Sequence, residues 1–154
     1  MPAMQYTIAE LINQLNDRDY YTRTRAAVAL GDARDPRAIP ALLKILSDND
    51  HRDELSRANI CAAEALAKIG ERALMPLLVT FQEQRDHPND IWRRNWVADA
   101  LGILGDPRAV EVLINGLDDQ DVRAGVAEAL GRIGDGSPPT FTAGVSGYGT
   151  GGAV

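Results

Sequence analysis

Apolar residues along this chain recur three and four positions apart, as in Ile39, Leu42, Leu43 and Leu46, or Ala26, Ala27 and Leu30. That spacing places side chains on one face of an α-helix. Glycine and Asp-Pro steps punctuate the pattern, stopping one helix and starting the next. The spacing predicts eight helices in four hairpins. First helices fall near residues 8–15, 36–46, 72–84 and 107–117, and second helices near 21–30, 55–69, 91–104 and 121–133.

The hairpins repeat one another. Ala29-Leu30-Gly31, Ala65-Leu66-Ala67, Ala100-Leu101-Gly102 and Ala129-Leu130-Gly131 recur at solenoid-like periods. The run Leu30, Gly31, Asp35, Pro36, Arg37, Ala38 has the same spacing as Leu101, Gly102, Asp106, Pro107, Arg108, Ala109. Three positions before each Leu stand Ala27, Ala63, Ala98 and Ala127. Such a small-residue column lets successive second helices approach closely, so the expected fold is an all-α solenoid of about four helical hairpins over residues 1–134. Residues 135–154 form a Gly/Ser/Thr/Pro-rich C-terminal tail with no charge after Asp135. By composition the tail is a flexible extension. The alternative is that Phe141, Val145 and Tyr148 cover the open side of the last repeat, in the same molecule or a second one.

With 45% apolar and 25% charged residues, the chain has enough apolar surface to bury a core. Its 16 Lys and Arg against 22 Asp and Glu leave a formal charge of -6, which repels a phosphate backbone and argues against nucleic acid as partner. No stretch approaches the ~20 apolar residues of a bilayer span, and residues 1–15 lack the pattern of a secretory leader, so a cytoplasmic location away from membranes is expected. A single cysteine, Cys61, and two histidines offer no metal-ligand spacing. Nothing in the spacing brings His87 to Cys61 as a base, so no catalytic set and no metal site are expected.

The segment Ala-Leu-Gly-Ile-Leu-Gly-Asp-Pro-Arg-Ala-Val at 100–110, followed by Asp121-Val122-Arg123 and Ala129-Leu130-Gly131, resembles the HEAT-like repeat of the phycobilisome lyase family, over roughly residues 7–134. The resemblance implies a right-handed α-α superhelix, a HEAT-repeat solenoid. Its concave side would be lined by positions nine, five and two before each motif Leu and two after it. Those rows are Tyr21, Arg25, Val28, Asp32; Arg57, Cys61, Glu64, Lys68; Trp92, Trp96, Asp99, Ile103; and Asp121, Gly125, Glu128, Arg132. It also implies that the arginine column Arg23, Arg94 and Arg123 braces neighbouring repeats.

The third row holds both tryptophans. An exposed Trp pair beside Arg and carboxylates has the composition of a protein-binding hot spot; the competing reading is that the pair fills a gap under a long loop. The expected partner-binding residues are Trp92, Trp96, Arg57, Asp99, Tyr21, Arg25, Glu64 and Glu128, with a loop rim of His51, Arg52 and His87 on the two expanded loops. Solvated surface is the plainer reading of that rim, and a solvated ladder of the carboxylates Glu64, Asp99 and Glu128. The expected function is a scaffold or adaptor that binds another protein, alone or in a homo- or hetero-oligomer. The resemblance implies a narrower alternative: a bilin-lyase subunit or phycobilisome-handling factor that grips a phycobiliprotein, with a bilin bound transiently and no cofactor otherwise.

Overall fold

A computed structural model describes residues 5–47, 55–83 and 91–136. Among them, eight α-helices and no strand are present: α1 Ile8–Gln14, α2 Tyr20–Ala33, α3 Ile39–Leu46, α4 Leu55–Ile69, α5 Glu71–Glu83, α6 Ile91–Leu104, α7 Val110–Asn115 and α8 Arg123–Asp135. They pair as α1/α2, α3/α4, α5/α6 and α7/α8, and the second helices stack in order, α2 on α4, α4 on α6, α6 on α8. The fold is the expected right-handed α-α solenoid of four hairpins. No described helix is long and apolar enough to cross a membrane.

The Asp-Pro-Arg-Ala corner builds itself from local chemistry. Asp35 caps a 3-10 turn, Pro36–Ala38, that feeds α3, and its carboxylate accepts from the Arg37 backbone N–H at 2.9 Å. The Arg37 guanidinium returns to the same carboxylate, with Nη2 at 2.7 Å. Asp106 and Arg108 repeat the arrangement before α7, again at 2.9 Å and 2.7 Å. Proline contributes a preset φ and lacks only an N–H that the first turn does not use. Between α4 and α5 the corner is different: Gly70, at φ 87, turns the chain into Glu71 and Arg72.

The core runs along the stack through Leu30, Leu66 and Leu101 of the second helices and Leu42, Leu77 and Leu113 of the first, all fully buried. Each contributes about 1.5–3 kcal/mol of apolar burial. In the last repeat Leu130 is only partly covered. The alanine column is buried at Ala27, Ala63 and Ala98. Ala127 departs from the expectation and is exposed, because no described helix stacks on the far side of α8.

Close backbone contacts between helices lie one position to either side of the motif leucines. A Cβ added to Gly31 would fall 2.8 Å from the Ala65 Cα, and one added to Gly102 would fall 2.8 Å from the Ala129 Cα. The arginine column also differs from expectation. Arg23 Nη1 donates to the Asp17 and Arg18 carbonyls, and Arg123 Nε to the Leu117 carbonyl, so both tie down the loop of their own hairpin. Arg94 alone of the three reaches the next repeat: it is buried, pairs with Asp119 and lies with its guanidinium carbon 4.8 Å from the centre of the Phe81 ring.

Candidate protein-binding groove

Three second helices, α4, α6 and α8, frame a groove of about 450 Å³. Their shared register puts the same positions of successive repeats along it. Glu64 comes from α4, Trp92, Trp96, Asp99 and Ile103 from α6, and Gly125, Glu128 and Arg132 from α8. Five of the expected partner-binding residues thus meet in one place: Glu64, Trp92, Trp96, Asp99 and Glu128. Tyr21, Arg25 and Arg57 are exposed on α2 and α4 and do not line the groove. The Tyr21 ring instead packs against Tyr20, the centroids 4.0 Å apart. The loop rim of His51, Arg52 and His87 lies outside the described residues, as does the tail beyond Gly136, with Phe141, Val145 and Tyr148.

The two tryptophans have different surroundings. Trp96 is half-buried against the core, while Trp92 is 58% exposed. Packing against the core therefore accounts for Trp96 more than for Trp92. Carboxylates from all three helices line the groove with them. Glu64 is only 2% exposed, and Asp99 is half-buried. Burial pushes the Asp99 carboxyl above the ordinary range; Arg132 opposes the shift, and neighbouring Glu128 and Glu64 add to it. Arg132 donates to Asp99 at 2.8 Å and to Glu128 at 3.0 Å, spanning the α6/α8 joint. Among the described residues no group of three or more His, Cys, Asp or Glu side chains is placed to hold a metal ion. Cys61, which holds in the second row the position that Trp96 holds in the third, is fully buried in the core.

Two lining residues, Ile60 and Asn95, lie outside the expected rows. Ile60 sits one turn before Glu64. Asn95 is admitted by a neighbour's missing side chain, since a Cβ on Gly125 would fall 2.6 Å from the Asn95 Oδ1. Its Nδ2 donates to the Asp121 carbonyl at 3.2 Å, fastening α6 to the turn that precedes α8. The glycine at the position held by Cys61 and Trp96 in other repeats was the available signal for that contact.

A family model described as HEAT repeats matches residues 8–89 and again residues 81–143. No curated protein matches the chain.

Proposed function

The chain belongs to the HEAT-repeat family, and on that premise we propose that it is a non-catalytic scaffold or adaptor that holds another protein in the groove between α4, α6 and α8. Stacked repeats of this kind generally offer extended concave surfaces for protein contacts. The observation that carries the reading is Trp92, a large aromatic left 58% exposed at a groove framed by three stacked helices. Exposing an indole in water is unfavourable, and aromatic anchors in preformed pockets dominate binding energy. The bilin-handling alternative rests on the resemblance of residues 100–110 and their neighbours; the family match is to the HEAT repeat itself and adds nothing to it.

The test uses a partner recovered from native lysate. Trp92→Ala should weaken its affinity by about 2 kcal/mol, roughly thirtyfold, with an unchanged circular dichroism spectrum. Full affinity from the folded variant would sink the assignment of the groove.

A further inference from the structure

The charge around the groove says what kind of side chain suits it. Glu64, Asp99 and Glu128 line it with one cation, Arg132, so the lining carries more negative than positive charge. The imbalance is felt locally: burial and the neighbouring Glu128 and Glu64 hold the Asp99 carboxyl up even though Arg132 donates to it at 2.8 Å. Ile60, Ile103 and the two tryptophans supply the apolar part of the same surface. A tryptophan ring attracts a cation placed over its face, most strongly where water is excluded.

We propose that the groove takes a protein segment presenting a lysine or arginine side chain, its alkyl stem along the apolar lining and its charged end between the Trp92 ring and the Asp99 and Glu128 carboxylates. The proposal rests on the docking reading above and names the partner's chemistry. A long basic side chain matches both halves of the lining, since its stem is apolar and only its tip is charged. An acidic segment would bring like charge to a half-buried carboxylate, and a purely aliphatic one would leave Arg132 as the one cation of the lining, shared between Asp99 and Glu128.

Short fluorescein-labelled peptides that alternate leucine with lysine, arginine, glutamate or glutamine provide the probes. Both tryptophans of the chain line the groove, so intrinsic fluorescence reports occupancy alongside polarisation. The lysine and arginine peptides should bind about tenfold or more tightly than the glutamine peptide, and the glutamate peptide least well. Asp99→Asn combined with Glu128→Gln should remove most of that preference. Neutralising Glu83 and Glu111, exposed on α5 and α7, should leave it intact. A preference that survives in the groove variant, or disappears equally in the control, would show only attraction to an acidic chain and overturn the proposal. Tryptophan-dependent binding that favours glutamine or glutamate peptides would overturn the cation and leave the docking groove standing. If no peptide perturbs the tryptophans or binds, both readings fall.

Discussion

The joints between successive repeats are of two kinds. At the first and the last, α2 on α4 and α6 on α8, a glycine meets an alanine backbone so closely that a methyl group on it would fall 2.8 Å from the facing Cα. Both are followed by a capped Asp-Pro-Arg corner. At the middle joint Ala67 takes the glycine's position, Gly70-Glu71-Arg72 replaces the corner, and α4 packs on α6 less extensively than either outer pair. The joint that lacks both the glycine and the proline is thus the least extensively packed of the three. The groove opens across this joint and onto the next, with Glu64 and Ile60 on its α4 side. Departures from local regularity gather where a protein does something besides fold.

The sharpest way to break this comparison is to add a methyl group where the outer joints exclude one. Alanine normally improves on glycine inside a helix by about 1 kcal/mol. At Gly31 and Gly102 the sign should reverse, because the added Cβ meets backbone that cannot rotate away, and each variant should lose roughly 1–3 kcal/mol. Ala98→Leu, in the buried alanine column, should cost a similar ~1–3 kcal/mol. Gly131 stands at the same motif position in the last repeat with nothing within 4 Å, so Gly131→Ala should stabilise by roughly 0.5–1 kcal/mol. Urea unfolding of the set decides the matter: if Gly102→Ala and Gly131→Ala shift the midpoint in the same direction, the tight joints are not what the geometry says.

These contacts also show what could be read from sequence. Helical periodicity located all four hairpins with boundaries within a few residues, because the core leucines repeat at fixed offsets and Asp-Pro steps mark the corners. α8 runs on to Asp135 past the cap-like Gly134, since Gly136 rather than proline follows and the helix is not forced to end. The glycine-to-alanine contacts were not visible, because they depend on how far one helix slides along the next. Column arithmetic likewise brought Trp92, Trp96, Asp99 and Glu128 to one face. It missed Asn95, whose place depends on the absent side chain of Gly125 in another repeat.

A smaller effect separates the first joint from the other two. Arg34 ends α2 at φ 53, while Gly70 and Gly105 take the left-handed turns after α4 and α6 at φ 87 and 71. A side chain with a Cβ is strained there by roughly 1 kcal/mol, and left-handed helix caps are usually glycine. Arg34→Gly should therefore raise stability by about 0.5–1 kcal/mol, and Gly105→Ala should lower it by a similar amount. A melting temperature that falls on Arg34→Gly would mean the arginine makes contacts that outweigh the strain.

Acid should distinguish the corners from the middle joint. Arg37 donates from its guanidinium and its backbone to Asp35, holding that carboxyl at about 2 against an ordinary 3.8, and Arg108 lowers Asp106 in the same way. A carboxyl whose folded value lies below its unfolded one stabilises the fold fully above the unfolded value. That contribution disappears as pH falls from about 4 towards 2. Asp99 has the opposite sign: burial raises it, so the fold favours its protonated form, and lowering pH through its range relieves the groove. Both corners lie at the surface, where solvent screens the pairs, so the effect is the smallest considered. As the pH is lowered through this window, amide protection relative to the intrinsic exchange rate should fall at the first turns of α3 and α7 before it does at that of α5, which has no Asp-Pro-Arg corner. Asp35→Asn with Asp106→Asn keeps an acceptor at each cap and removes the titration, so it should flatten the acid dependence of stability while lowering stability at neutral pH. An unchanged acid slope in that double variant would show that the two corners do not set the acid sensitivity of the stack.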